Sequence, residues 1–322
     1  MLAPDFWKRD DALSRLIANA LTPIGHIYGA TVRWKSRHAS ACRVPIPVIC
    51  IGNITAGGTG KTPVAIAVAK ALIARGRKPF FLTRGYGGTM EGPVAVAPEH
   101  DSKAVGDEPL LLARTAPTVV SRHRPDGAKL AIERGADVVV MDDGHQNFSL
   151  AKDFSIVVVD AAEGFGNGRV LPAGPLREPA RQGLKRADAV VLMGDGTPSL
   201  DPYGGPILRA RLQPVAAECA GRRVLAFAGI GRPAKFFDTL RGTGADVAHT
   251  ASFADHHHYT QGEIDRLKHQ ALQLNAQLVT TEKDLVRLPP AMRDGIAGLA
   301  VEAAFTPKDA MERLLDRVCA PR

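Results

Sequence analysis

A glycine-rich segment near residue 55 contains the residue types that hold a nucleoside triphosphate. It follows the apolar run Val48 to Ile51 and is itself followed by Pro63, which suits the first turn of a helix. Glycines let backbone N–H groups close on phosphate oxygens, a lysine adds positive charge, and a threonine hydroxyl can bind Mg²⁺. The pattern predicts a strand, a phosphate-binding loop and a helix, although a threonine stands where the first glycine is usual. The predicted nucleotide-binding residues are Thr55, Ala56, Gly57, Gly58, Thr59, Gly60, Lys61 and Thr62.

Two adjacent carboxylates, Asp142 and Asp143, follow the apolar run Val138 to Met141. This order is typical of a Walker B strand, whose carboxyl end lies beside the phosphate-binding loop. A carboxylate there can hold Mg²⁺ directly or through water, and the ion then bridges phosphate oxygens. The sequence therefore predicts a Mg²⁺-nucleotide site between Thr62 and these two aspartates.

Nucleotide binding alone does not separate a kinase from a switch or motor ATPase, so a group that acts on an acceptor hydroxyl is informative. Asp107, in Gly-Asp-Glu-Pro, offers a carboxylate in a turn, and the run His256 to His258 offers an imidazole. Such a pair could take a proton from an attacking alcohol. Adjacent histidines point in divergent directions and lack a second His/Cys group at ligand spacing, so a metal site is not predicted there.

Two further polar, glycine-rich loops follow predicted strands. One begins at Arg84, and the other, residues 166–179, contains Arg177. The carboxyl ends of parallel strands line one crevice, and a guanidinium matches the geometry of a phosphate. Both arginines are therefore candidates for binding phosphate.

Composition limits the class of protein. The 322 residues are 45% hydrophobic and 23% charged, which excludes wholesale disorder, and the net charge of +8 favours an anionic partner. An aromatic content of 5% and the lack of a recognisable nucleic-acid module argue against nucleic acid as that partner. The four cysteines, of which Cys319 is the last, are widely spaced and predict neither disulfides nor zinc, as in a reducing cytosolic compartment.

The N-terminal segment has apolar residues at helical spacing between basic residues, from Leu13 to Tyr28. Residues 1–45 hold seven basic and three acidic residues, a net charge of +4. Polar residues and Pro23 interrupt the apolar run, so neither a membrane span nor a signal-peptide core is predicted. Two interpretations stay open: an amphipathic helix on an anionic membrane surface, or a helix packed on the domain behind it.

Apolar runs alternate with helical segments along the chain, which predicts an α/β fold. We expect a P-loop NTPase-type, mostly parallel sheet with helices on both faces, together with a smaller C-terminal α/β domain. The expected division is an amphipathic helix region at 1–45, a P-loop kinase domain at 46–206, a hinge strand at 207–213 and the smaller domain at 214–322.

Taken together, these segments resemble the tetraacyldisaccharide 4′-kinase family of lipid A biosynthesis over nearly the whole chain. The resemblance implies that ATP and Mg²⁺ serve to phosphorylate the 4′-hydroxyl of a lipid A disaccharide 1-phosphate. It also implies a peripheral position on the cytoplasmic face of a Gram-negative inner membrane, with no obligate protein partner. The segments that carry the resemblance are the basic, apolar N-terminus, Gly52–Pro63, Arg84–Gly87, Gly106–Pro109, Asp142–Gln146, Leu171–Pro179, Gly229–Phe237, Asp255–His256 and Thr280–Asp284.

By the same resemblance, Asp107 acts as the base and His256 is its partner, with His257 as the alternative. Since these residues lie on opposite sides of the predicted hinge, the chemistry would need domain closure. The implied Mg²⁺ ligands are Thr62, Asp142, Asp143 and Glu178. The implied nucleotide contacts beyond the loop are Arg84, Arg177 and Glu282, and Lys61 joins Asp107, His256 and the two aspartates in catalysis.

The main alternative is a membrane-associated switch ATPase of the ParA/MinD or metallochaperone class, which shares the Gly-Gly-x-Gly-Lys-Thr loop. That class has a lysine immediately before the two glycines, whereas this chain has Ala56. The kinase interpretation is therefore favoured.

Overall fold

The computed structural model describes residues 4–7, 9–215 and 219–318, so Cys319 lies outside the described residues. The helices are α1 (Ala12–His38), α2 (Lys61–Ala74), α3 (Ser102–Val105), α4 (Asp107–Ala113), α5 (Arg124–Glu133), α6 (Ala180–Lys185), α7 (Pro233–Gly242), α8 (Gln261–Gln273), α9 (Glu282–Arg287) and α10 (Ala310–Val318). The strands are β1 (Val48–Gly52), β2 (Pro79–Thr83), β3 (Val94–Ala95), β4 (Thr118–Val120), β5 (Val138–Asp142), β6 (Phe154–Asp160), β7 (Ala189–Met193), β8 (Ile207–Pro214), β9 (Arg223–Ala228), β10 (Asp246–Ser252), β11 (Gln277–Thr281), β12 (Ile296–Leu299) and β13 (Val301–Thr306).

The larger sheet has nine strands in the order β13-β8-β7-β6-β1-β5-β2-β4-β3. Its pairings are parallel except at the two edges, where β13 runs antiparallel to β8 and β3 runs antiparallel to β4. Strand β1 lies between β5 and β6, and all five of its residues are buried. An apolar run without alternation is expected of a parallel strand that is covered on both faces. The predicted α/β class is confirmed.

Separate hydrophobic cores cover the two faces of this sheet. On one face, α2 and α10 pack over alternate residues of the strands, including Ile49 and Val140. On the other face, α5 packs over the intervening residues, including Val48 and Val139. The layering fixes the carboxyl end of β1, so the loop that follows it starts from a rigid position.

The smaller sheet has four parallel strands in the order β10-β9-β11-β12. Helix α7 covers one face through Phe236, Phe237 and Leu240, and α8 covers the other through Ile264 and Leu267. Helix α8 begins with a capping box in which the Thr260 and Glu263 side chains each bond the other's backbone N–H. This unit is the smaller α/β domain expected from the sequence.

The sheet pairings differ from the predicted division of the chain in two places. The segment 207–213, predicted as a hinge strand, lies in strand β8, which pairs with both β7 and β13 and so belongs to the larger sheet. The segment 214–322, predicted as one domain, returns to the larger sheet at β13 and α10. The physical reason is that β8 would otherwise expose an unpaired edge, which β13 covers. The chain therefore passes between the sheets twice.

Helix α1 packs on the larger domain through its small residues. Ser14, Ala18, Gly25 and Gly29 are buried, and a Cβ added at Gly25 would meet the Val170 carbonyl oxygen at 2.8 Å. The large apolar side chains of α1 are exposed instead: Leu13, Leu16, Ile17, Ile24, Ile27, Tyr28 and Trp34. The helix thus contacts the protein with one face and presents an apolar face outward. In residues 4–7, 9–215 and 219–318, no helix is long and apolar enough to cross a bilayer.

Candidate active site

The loop between β1 and α2 has the backbone needed to surround a phosphate. Gly57 and Gly60 have φ values of 113° and 88°, a region that favours glycine. The Asn53 amide supports the loop by donating to the Gly57 carbonyl at 3.4 Å and to the Thr59 hydroxyl at 3.3 Å. Lys61 is the first residue of α2, so the positive end of the helix dipole faces the loop.

Asp142, at the end of β5, lies against this loop and has the character of a cation ligand. The Thr62 hydroxyl donates to Asp142 Oδ2 at 3.3 Å, while Oδ1 is buried without a partner among the described residues. Burial and the nearby Glu108 and Asp143 carboxylates raise the pKa of Asp142 to about 7. A nearby cation would favour the ionised form of this buried carboxylate, whose Oδ1 is otherwise unpartnered within the described part of the chain.

Asp143 is already paired with positive charge. Lys61 Nζ lies 3.6 Å from its carboxylate, and Arg177 Nη1 donates to Oδ1 at 2.9 Å. Burial would raise the pKa of Asp143, but Lys61 and Arg177 outweigh it and hold the pKa at about 2. Arg177, predicted to bind phosphate, therefore lies at the loop and pairs with a predicted Mg²⁺ ligand.

Glu178 is buried beside the same loop. Arg186 Nη2 donates to both of its oxygens at 2.7 Å, and Gln146 Nε2 donates at 2.9 Å while also bonding the Asn53 carbonyl. Arg186 neutralises the Glu178 carboxylate and Gln146 adds a neutral hydrogen bond. The assignment of Glu178 as a Mg²⁺ ligand stays a prediction. Among the described residues, no three His, Cys, Asp or Glu side chains cluster in a way that could hold a metal.

Two arginines add positive charge near the aspartates. Arg84, predicted from its loop, is exposed and has no ion pair among the described residues. Arg124, at the start of α5, was missed by sequence reasoning and is 3% exposed, with Nε lacking a partner. Burial and the positive charge of Arg84 lower the pKa of Arg124 to about 10, against the attraction of Asp143. No motif marked Arg124, because Ser-Arg-His-Arg-Pro reads as an ordinary polar turn.

Asp107 begins α4 at the junction of the two domains and is 4% exposed. Arg287 Nε donates to its Oδ2 at 2.9 Å, and Arg287 Nη2 contacts the same oxygen. His256 Nδ1 lies 3.5 Å from that oxygen. Burial would raise the pKa of Asp107, but His256, Arg287 and Lys283 together hold it well below its usual range. The predicted pair of Asp107 and His256 is thus brought together across the domain junction.

Helix α9 supplies two cations to this junction that sequence reasoning missed. Lys283 Nζ donates to Glu108 Oε1 at 2.6 Å, and Arg287 reaches Asp107 one turn later. Glu108 and Asp107 raise the pKa of Lys283 despite the opposing effect of burial. A lysine and an arginine four residues apart lie on one helix face, and this spacing was the available signal.

His256 and His257 point to different partners, as expected for consecutive side chains. His256 has φ 58°, and its ring centroid lies 5.6 Å from that of Tyr86. His257 turns away, with Nε2 at 3.1 Å from Glu263 Oε2 and its ring stacked on Phe253. His256, and not His257, is the histidine that faces Asp107.

Glu282 lies at the same junction but contacts the larger domain. Arg114 Nη1 donates to Glu282 Oε1 at 3.2 Å. The neighbouring Asp284 is fully buried and accepts bonds from Tyr259, Arg287 and the Gly229 N–H, so it supports α9 rather than a ligand. The predicted nucleotide contact of Glu282 stays a prediction.

The Asp107 cluster lies near the phosphate loop, because α4, which begins at Asp107, packs against α2, which follows the loop. Glu108, which follows Asp107, lies close enough to Asp142 to raise its pKa, and Lys283 lowers the same pKa. This region therefore holds a loop for phosphates, a carboxylate suited to a divalent cation, and a carboxylate-imidazole pair. Such a set can bind a nucleotide and remove a proton from an acceptor.

Comparison with known proteins is consistent with this geometry. The family model described as tetraacyldisaccharide-1-P 4′-kinase, LpxK, matches residues 17–320. Tetraacyldisaccharide 4′-kinase of Paramagnetospirillum magneticum is 53% identical over 325 residues, covering 99% of each chain. The protein of the same name from Rhodospirillum rubrum is 51% identical, covering 100% of this chain and 99% of the other.

A solved structure matches as well. A crystal structure of LpxK from Aquifex aeolicus, described as an "apo" form in complex with ATP, has a TM-score of 0.76 and 26% identity. The match covers 94% of this chain and 99% of the other. Sequence, fold and site agree, and the chain belongs to the tetraacyldisaccharide-1-P 4′-kinase family.

Proposed function

We propose that this chain transfers the γ-phosphoryl group of ATP to the 4′-hydroxyl of a tetraacyldisaccharide 1-phosphate. The observation that carries the proposal is the Asp107–His256 pair at the start of α4, which packs against α2 beside the phosphate loop. A switch ATPase positions only water for attack on the nucleotide. A kinase must also admit an acceptor alcohol and take its proton, which suits a carboxylate-imidazole pair placed where a second substrate can reach it.

The loop residues would bind the triphosphate through backbone N–H groups, with Lys61 against its charge. The donor set fits Mg²⁺, because Thr62 and the unpartnered Oδ1 of Asp142 offer hard oxygen ligands. Mg²⁺ bound at these ligands would neutralise negative charge on the β- and γ-phosphate oxygens. Lys61 and Arg177, now on Asp143, would also lie beside the transferred group.

The acceptor hydroxyl would lose its proton to Asp107, with His256 sharing it. The half-exposed His256 ring lies between Asp107 Oδ2, 3.5 Å from Nδ1, and Asp255 Oδ1, 3.9 Å from Nε2. Arg287 keeps Asp107 ionised and oriented, which prepares it as an acceptor but lowers its basicity. The base is therefore a group of three side chains that come from both domains.

The acyl chains would be met by the outward face of α1. Leu13, Leu16 and Ile27 are each exposed over about two thirds of their surface. The opposite face of α1, which carries the small residues, packs against the protein. Basic residues of residues 1–45 would attract anionic headgroups. We place the protein at the surface of the inner membrane, on its cytoplasmic face, where ATP is available.

The direct experiment follows labelled phosphate. Purified protein is incubated with γ-labelled ATP, Mg²⁺ and the disaccharide acceptor in detergent micelles, with Lys61→Ala as a control for background transfer. We expect label in the glycolipid, dependent on Lys61. Label released only as inorganic phosphate would favour the switch ATPase and overturn the proposal.

A further inference from the structure

A second set of ion pairs joins the two domains at a place separate from Asp107. Arg232 Nη1 donates to Asp160 Oδ2 at 2.7 Å, and Arg232 Nη2 donates to Glu163 Oε2 at 2.6 Å. Lys235 Nζ donates to the same Asp160 oxygen at 2.7 Å. Asp160 is the last residue of β6 in the larger sheet, whereas Arg232 and Lys235 lie at the start of α7 in the smaller domain.

The Asp160 carboxylate is buried and held in a fixed orientation. It is 4% exposed, and its Oδ1 already accepts the backbone N–H groups of Ala162 and Glu163, which fixes the carboxylate in place. Burial would raise its pKa, but Lys235 and Arg232 lower it below its usual value. The carboxylate thus depends on charge from the other domain, since a buried ion without a partner is costly.

The loop that carries Arg232 also holds the residues that face Asp107. The Gly229 carbonyl accepts a bond from the His256 N–H at 3.0 Å and another from Arg287 Nη1 at 2.6 Å. Arg232 is only three residues further along the same loop. A shift of this loop relative to Asp160 would therefore move His256 and Arg287 relative to Asp107.

We propose that Arg232 and Lys235 are positioning residues, whose ion pairs with Asp160 fix the smaller domain where His256 and Arg287 meet Asp107. The inference rests on the proposed kinase function, because its readout is phosphoryl transfer. Charge-assisted hydrogen bonds depend on geometry, so the contact fixes orientation as well as distance. Its loss would leave the phosphate loop and Asp107 in place but displace His256 and Arg287 from Asp107.

The test compares Arg232→Gln, Lys235→Gln, Asp160→Asn and the double variant Asp160→Asn/Arg232→Gln. Arg223→Gln is the matched control, because Arg223 pairs with Asp246 at 3.0 Å inside the smaller domain. For each variant, kcat, the KM values for both substrates, ATP affinity and thermal unfolding are measured. We expect Arg232→Gln to lower kcat by about tenfold, the size of one charge-assisted pair, with ATP affinity and unfolding temperature near wild type.

Three further results are required of a positioning role. Arg232→Lys should recover part of kcat, the double variant should be no slower than the worse single variant, and Arg223→Gln should match wild type. Unchanged kcat in both Arg232→Gln and Asp160→Asn would overturn the inference, as would losses that multiply in the double variant. Failure of the proposed function looks different, because wild-type protein would then transfer no phosphate.

Discussion

Arg287 and Asp107 are 180 residues apart in the chain, and Arg287 Nε donates to Asp107 Oδ2 at 2.9 Å across the junction of the two domains. Both side chains are almost fully buried. The same guanidinium bonds Asp284 and the Gly229 carbonyl, so it ties Asp107 to the core of the smaller domain. The state of Asp107 is therefore set by a residue from the opposite domain.

Replacing Arg287 should change the pH dependence of the reaction. Arg287 helps to lower the pKa of Asp107, so Arg287→Gln should raise that pKa. Asp107 would then become protonated at a higher pH, and the acid limb of kcat/KM would move toward neutral pH. Arg293→Gln is the control, because Arg293 bonds only backbone carbonyls near Asp107's partner helix. An acid limb that stays in place would disprove the assigned coupling.

Ionised Asp142 should lower the stability of the fold, although phosphoryl transfer should require it. The pKa of Asp142 is about 7 in the folded protein, above the ordinary 3.8. The free energy of unfolding should therefore fall as pH rises from about 3.8 through about 7, where Asp142 ionises in the folded protein. At pH 8 without nucleotide, Asp142→Asn should therefore stabilise the protein by roughly 1–3 kcal/mol. The same variant should lose phosphoryl transfer, as measured beside thermal unfolding.

Asp143→Asn is the matched control and should behave in the opposite way. Lys61 and Arg177 hold the pKa of Asp143 at about 2, below the ordinary 3.8. Its ionised form therefore stabilises the fold at pH values above 3.8. Its neutralisation should lower the unfolding temperature at pH 8. If both variants shift stability in the same direction, the assigned electrostatics of the loop are wrong.

Substitutions of His256 and His257 should have different effects on phosphoryl transfer and on stability. His256→Gln should reduce transfer by about tenfold or more, because the proton loses its second acceptor. His257→Gln should mainly reduce stability, since His257 contacts Glu263 and Phe253 rather than Asp107. Rates and melting temperatures of both variants check this division. A larger rate loss for His257→Gln would exchange the two roles.

The sequence was sufficient for the phosphate loop, the two aspartates at the carboxyl end of β5 and the α/β class, because each depends on local pattern. It could not identify Arg287, whose partner is distant in the chain, nor separate His256 from His257, because only the folded loop directs their rings. Strand β4, with three residues, was too short to be read. The return of β13 to the larger sheet depends on covering the β8 edge, a tertiary requirement without a local signal.

The apolar face of α1 should control membrane binding. Leu16→Asp should weaken sedimentation with vesicles of anionic phospholipid, because the side chain is 66% exposed on the face that lacks a protein contact. Leu272→Asp is the control, since Leu272 is 79% exposed on α8 of the smaller domain. We expect a loss only for Leu16→Asp. Equal sedimentation of both variants with wild type would mean that α1 does not contact lipid.

The most direct test of the central claim is the rate of phosphoryl transfer by Asp107→Asn, measured together with its affinity for ATP. The substitution keeps size and polarity but removes the carboxylate that we propose as the proton acceptor. We predict a fall in kcat of about 10²–10⁴-fold with ATP binding retained. Near-native turnover by Asp107→Asn would contradict the account.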